Sequence, residues 1–208
     1  AILTLHGIPW YIAIIVAGII PCIFGIILAV TTSKLKGDYF AMVTLGFVFI
    51  AIAVSRNWIS LTRGALGLPG VPDIIRNNFY YMLFTIVAAF ISVILFYLLI
   101  NSETGKIFQA IRDDETGAAI LGKNTYLYKV ISVAIATFFT GIAGGLLVHH
   151  INFVDPTVFE LESFVSVLIM LIAGGLASIW GSVAGVILFY ALWESMRFIV
   201  VSPILVGP

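Results

Sequence analysis

About six apolar runs divide this chain, separated by short polar or glycine-rich stretches. The first runs from about Ile8 to Val30 with Pro21 inside it, and the second from Tyr39 to about Trp58. A third covers about Phe79 to Ile100 and a fourth Val130 to about His150. The fifth begins near Phe164 and is interrupted by GGLASIWG, Gly174 to Gly181. The sixth continues from Ser182 to about Val201. An α-helix needs about 20 apolar residues to cross the hydrocarbon core of a bilayer. Each run is apolar nearly all round, as expected where lipid and neighbouring helices are both apolar. The runs are too long and continuous for the alternating strands of a membrane barrel. The pattern predicts an all-α polytopic transmembrane bundle of about six spans, in one transmembrane domain over 1–208. Pro21 is tolerable inside a membrane helix at the cost of a kink.

Composition sharpens this picture. The 208 residues are 62% hydrophobic and 10% charged, against about 25% charged in a soluble domain. So few charges cannot cover a water-facing surface, and lipid is the expected main solvent. Ten basic and ten acidic residues cancel, which gives no reason to expect a nucleic-acid partner. Cys22 is the single cysteine. It excludes an intramolecular disulfide and reads as a packing residue. The chain starts at Ala1 with no charged region ahead of its first apolar run, unlike a signal peptide. We expect a longer parent with further helices at one or both ends.

Alternating the spans places Lys34, Lys36, Lys106, Arg112, Lys123 and Lys129 on one side. Arg56, Arg63, Arg76 and Arg197 fall on the other. The excess predicts a cytoplasmic 101–129 segment. Within that segment, Lys106 to about Leu121 reads as one short amphipathic helix with apolar Ile107, Ile111, Ala118 and Leu121. Gly122 and Asn124 would stop it. Such a helix either docks in a groove of a soluble partner or merely joins two spans.

Candidate chemistry is sparse. Asp113, Asp114 and Glu115 are consecutive, so on a helix they point about 100° apart and suit a solvated face better than an ion site. His149, His150 and Asp155 do not supply a metal-ligand set, and an interfacial position is expected for them. His6 stands alone. Gly64, Gly67 and Gly70 recur beside Pro69 and Pro72, as in an outer loop or a backbone lining a pathway. The Gly174–Gly181 break admits the same two readings. Gly141/Gly145 and Gly181/Gly185 have the four-residue spacing of close helix packing. Glu194 and Arg197, three apart, can pair on one helix. No nucleophile–base pair and no phosphate-binding G-x-x-x-x-G-K-[ST] sequence appears. If ATP powers this protein, another chain binds it.

Five stretches taken together carry a resemblance. They are GDYFAMVTLG (Gly37–Gly46), NWISLTRGALGLPGVP (Asn57–Pro72), GKIFQAIRDDETGAAILGKN (Gly105–Asn124), YKVISVAIATFFTGIAGGL (Tyr128–Leu146) and LIAGGLASIWGSVAGV (Leu171–Val186). In this order they resemble the LivM-like inner-membrane permease subunits of branched-chain amino acid ABC importers. The resemblance implies a multi-pass protein of the cytoplasmic membrane that is a transport subunit and not an enzyme. It implies a second related permease, two ABC ATPase subunits that bind ATP and Mg, and an extracytoplasmic substrate-binding protein. A cytoplasmic coupling helix between spans three and four would dock an ATPase through Ala110, Arg112, Asp113, Asp114, Glu115, Ala118, Ala119 and Gly122. Thr44, Gly46, Thr62, Gly64, Gly67 and Gly70 are the expected path-lining residues. Gly141, Gly145, Gly174, Gly175, Gly181 and Gly185 are the expected packing residues. The expected cargo is branched-chain amino acids, with related small amino acids, amides or urea carried by other permeases of this class. The chain reads TRGALG at 62–67 where many relatives have a TGG-like sequence with an acidic residue. The residues alone also leave open a secondary transporter or channel that needs no ATPase, and a purely structural membrane subunit.

Overall fold

Lipid-compatible length dictates most of the architecture. The computed structural model describes residues 1–33, 35, 38–75, 77–155, 161–175 and 178–201. Lys34, Lys36 and Arg76 of the charge count, Gly37 of the first matched stretch and 176–177 of the glycine break lie outside the described residues. The chain forms two compact units, 1–158 and 159–208.

In the first unit a short α1 (Ile2–Leu5) precedes α2 (Trp10–Thr32) and α3 (Asp38–Asn57). Next come α4 (Ile59–Thr62), a 3-10 turn (Gly64–Leu66) and β1 (Leu68–Pro69). They are followed by α5 (Asn78–Asn101), α6 (Glu103–Asp113), α7 (Glu115–Ile120), α8 (Thr125–Ile151) and β2 (Phe153–Val154). The second unit holds α9 (Leu161–Gly174) and α10 (Ile179–Val201).

Polar caps fix where the helices begin. The side chains of Asn77, Ser102, Asp114 and Asn124 accept from the backbone N–H groups of Phe79, Gly105, Thr116 and Leu127. These bonds satisfy donors that a helix start otherwise leaves orphaned.

Among the described residues, five helices are long and apolar enough to cross a membrane: α2, α3, α5, α8 and α10. The sequence pattern suggests about six spans, and the remaining apolar helix is α9, described from Leu161. Its 14 residues rise only about 21 Å, short of the ~30 Å hydrocarbon core. The break is local, because Gly175 takes φ +101° and ends the helix.

The tightest packing joins α2 to α8. Ala17 of α2 lies against Gly141 and Gly145, Gly18 against Phe138 and Ile142, and Gly25 against Thr137. Numbers rise along one helix as they fall along the other, so the pair is antiparallel. A Cβ on Gly141 would run into the Ala17 carbonyl oxygen and come within 2.9 Å of the Pro21 ring. Small residues are what permit such backbone approach in a bilayer, where no hydrophobic effect drives helices together. Gly141 and Gly145 are thus packing residues, as their spacing suggests; Gly18 and Gly25 on the facing helix complete the contact.

In the second unit, α9 packs on α10 through glycine in the same way. Gly174 meets the backbone of Gly181 and Gly185, whereas the ideal Cβ position of Gly175 is open space. Glu194 and Arg197 lie 3.7 Å apart on α10, both largely exposed, which makes their pairing weak.

Candidate functional site

The segment between α5 and α8 folds as an elbow of two helices, not as the single helix suggested by its sequence. Ser102 starts it: the hydroxyl donates to the Leu99 carbonyl at 2.6 Å and accepts from the Gly105 N–H at 3.3 Å. The turn is so tight that a side chain at Gly105 would strike the Leu99 and Ile100 carbonyl oxygens. Glu103 in the first turn of α6 and Arg112 in its last turn both complement the helix dipole.

The break falls at Asp114, whose backbone is extended (φ −152°, ψ 102°) and whose carboxylate accepts from the Thr116 N–H at 2.9 Å. A residue that caps the next helix cannot also continue the previous one. At the far end, the Gly122 N–H donates to the Ala119 carbonyl and the Lys123 N–H to the Ala118 carbonyl. With Gly122 at φ +78°, this is a Schellman stop.

The three consecutive carboxylates go separate ways. Asp113 pairs with its exposed neighbour Arg112 at 2.9 Å, Asp114 caps α7, and Glu115 reaches Lys129 of α8 at 2.7 Å. The elbow also grips α8 through a Phe108–Tyr128 edge-to-face pair, ring centroids 6.0 Å apart. Ala118 is buried at 3% exposure, on the inner side of the elbow. Ala110, Arg112, Asp113, Asp114, Ala119 and Gly122 are exposed and Glu115 is half-buried. Ile120 and Leu121 at the tip are 81% and 79% exposed. Leu121 belongs to the apolar subset read from the sequence and Ile120 does not; the signal for both is that an apolar pair precedes the Gly122 stop.

Several contacts fix which end of the unit the elbow occupies. The Tyr126 hydroxyl lies 3.3 Å from the Val30 carbonyl at the end of α2. The Tyr81 hydroxyl, near the start of α5, donates to the Leu146 carbonyl late in α8 at 2.6 Å. The elbow therefore sits where α2 and α5 finish and α8 begins, together with Lys106, Arg112, Lys123 and Lys129. Arg56 and Arg63 lie at the opposite end. At the elbow end, Ser33, Leu35, Phe40, Glu115 and Lys129 line a cleft of about 460 Å³.

At the opposite end the glycine-rich loop is knitted to the chain after α8. β1 and β2 pair antiparallel, Leu68 opposite Val154 and Pro69 opposite Phe153. Asn152, which ends α8 at φ +59°, donates from its side chain to the Val71 carbonyl at 2.8 Å and to Asp73. Gly67 (φ +67°) packs so closely that a side chain would hit the Val154 carbonyl oxygen. Thr62 donates to the Ser55 carbonyl at 2.6 Å, and Gly64 rests on the Arg56 carbonyl. Gly70 faces open space.

Thr62, Gly64 and Gly67 hold the loop together. Thr44 and Gly46 are not brought to them. They sit in the first half of α3, Thr44 bonded to the Phe40 and Ala41 carbonyls of its own helix and Gly46 beside open space. Beside the loop, Ile2, Leu5, His6, Ser60, Arg63 and Leu68 border a cleft of about 360 Å³.

The two histidines at the end of α8 differ. His150 stacks on the Tyr81 ring at 5.4 Å. His149 is buried, with Nδ1 2.7 Å from the Gly145 carbonyl oxygen. Donation to that oxygen leaves Nε2 as the acceptor, and it has no partner among the described residues.

Residues 1–206 match the family model described as "Branched-chain amino acid transport system / permease component". The chain belongs to this permease family. The permease is 26% identical over 221 residues to the "High-affinity branched-chain amino acid transport system permease protein LivM" of Escherichia coli, covering 92% of this chain and 52% of that one. The Salmonella typhimurium protein of the same name matches equally, at 26% over 221 residues. A third relative is the "Probable branched-chain amino acid transport permease protein LivM" of Methanocaldococcus jannaschii. It is 22% identical over 185 residues, covering 86% of this chain and 53% of that one. The permease thus spans about half the length of the curated relatives it matches. No solved structure matches it. The helices and the family agree on a multi-pass protein of the cytoplasmic membrane.

Proposed function

We propose that this permease is a membrane-spanning subunit of an ATP-binding-cassette importer for branched-chain amino acids, and that the α6–α7 elbow docks its ATPase. In this reading two ATPase subunits bind ATP and Mg, a second related permease completes the path, and an extracytoplasmic binding protein delivers the cargo. Closure of the ATPases pushes on the elbow, and the packed spans tilt to alternate access.

The observation that carries the reading is the elbow tip. Ile120 and Leu121 stand 81% and 79% exposed outside the spans, in the segment that also carries Asp113, Asp114 and Lys123. A water-exposed apolar pair rimmed by charge is the form of an anchor that fits a partner's groove. The family of the chain supports the same assembly. Between α5 and α8 a mostly apolar cleft of about 340 Å³, lined by Ala88, Ala89, Phe139, Ile142 and Leu146, suits an aliphatic side chain.

Burying two such side chains is worth about 3–6 kcal/mol, so I120D/L121D should weaken docking by about a hundredfold or more. The test is ATPase recovery with the tagged protein from gently solubilised membranes. Loss of the ATPase from a variant that still inserts is the expected result. Full retention would refute the docking role.

A further inference from the structure

Resting on that reading of the elbow, we propose that Lys129 is a positioning residue for transport: its ion pair with Glu115 hands the displacement of α7 to α8, and through α8 to α2. Lys129 lies in the second turn of α8, near the positive end of that helix, where a cation is disfavoured. Its placement makes sense through its partner. Glu115 stands in the first turn of α7, the end at which a carboxylate is favoured. The two charges meet at 2.7 Å, with only 29% and 37% of their side chains exposed.

Two other ion pairs, Arg112–Asp113 and Arg197–Glu194, are largely exposed, and each joins residues of a single helix. This one ties the elbow to a span. It also forms part of a hub, because the first turns of α8 touch three elements in succession. Tyr126 meets the end of α2, Tyr128 meets Phe108 of α6, and Lys129 meets α7. From the hub, α8 is packed backbone-to-backbone on α2 at Gly141, so the two spans move together. The cleft of about 460 Å³ beside the pair leaves room for it to shift without collision. Glu115 on this account faces its own membrane helix, and the ATPase meets Ile120 and Leu121 instead.

The test uses the full transporter complex in proteoliposomes with K129E, E115K, the swap E115K/K129E, and K129R. ATPase recovery and cargo imported per ATP hydrolysed are both read. A half-buried pair of this kind contributes about 1 kcal/mol, so each single reversal should lower import per ATP about fivefold while the ATPase still co-purifies. The swap should return the ratio to within about twofold of wild type, the signature of a direct pairwise coupling, and K129R should stay near wild type. Where a single reversal inserts poorly, the swap still decides by its own ratio. Unchanged ratios in both singles, or a swap no better than the worse single, would overturn the linkage. Absence of an ATPase from the wild-type complex would instead overturn the importer reading on which it rests.

Discussion

Gly141 and Gly144 stand three residues apart on α8 and should respond oppositely to the same substitution. At Gly141 an added methyl would be driven into the Ala17 carbonyl oxygen, with the Pro21 ring 2.9 Å away. The obstacle is largely backbone, so no rotamer change relieves it and α2 must move off α8. At Gly144 nothing lies within 4 Å of the added atom. Both changes gain the same helix propensity, about 1 kcal/mol for Gly→Ala, and that gain cancels between them. What remains is the overpacking cost, about 1–3 kcal/mol. The difference should grow for larger residues at 141, because the gap widened there also separates Gly18, Gly25 and Gly145 from their contacts. The assay is the thermal midpoint of each purified variant in one detergent. A 2 kcal/mol difference corresponds to about 4–8 °C for a chain of this size, with G144A at or above wild type and G141A below. Equal midpoints for the two variants would refute close α2–α8 packing.

Two further predictions concern the glycine-rich loop. G67A meets both a left-handed backbone and the Val154 carbonyl, so it should free β1 from β2 at about 1–3 kcal/mol, read as faster proteolysis between 62 and 75; unchanged cleavage would contradict the pairing. R63G should do the reverse: Arg63 holds φ +58°, which costs a non-glycine residue about 1–2 kcal/mol, and glycine relieves it at about 0.5–1 kcal/mol of added chain entropy. Slower proteolysis of the same loop is expected, and faster cleavage would show that the guanidinium holds the loop.

What the sequence made legible follows from how strongly each feature is constrained. Spans such as α2, α5 and α8 are forced by bilayer thickness, so apolar length alone finds them. The fifth run is legible down to its interruption at Gly174–Gly181, because paired glycines stop a helix, and α9 does end there with Gly175 at φ +101°. The elbow is visible as an amphipathic stretch, yet its break hides in the run Arg112-Asp113-Asp114-Glu115. Only the cap formed by Asp114 reveals it, and the signal was an Asp two residues ahead of Thr116. Gly141 and Gly145 announce themselves by spacing; Gly18 and Gly25, seven apart on α2, carried the matching signal. Glu115 and Lys129 are fourteen positions apart on different helices, beyond any local pairing rule. Thr62, Gly64 and Gly67 looked like pathway because glycine in a membrane protein admits that role. Their contacts with Ser55, Arg56 and Val154 come from the tertiary fold and no local spacing announces them.

ATP-driven import is open to a reconstituted transport assay. The wild-type permease with its co-purifying subunits is placed in vesicles, labelled leucine on the side of the glycine-rich loop and ATP on the side of the elbow. The expected result is leucine accumulation that requires ATP and disappears with I120D/L121D. Leucine uptake at the same rate without ATP would contradict it and make the protein a carrier that needs no ATPase.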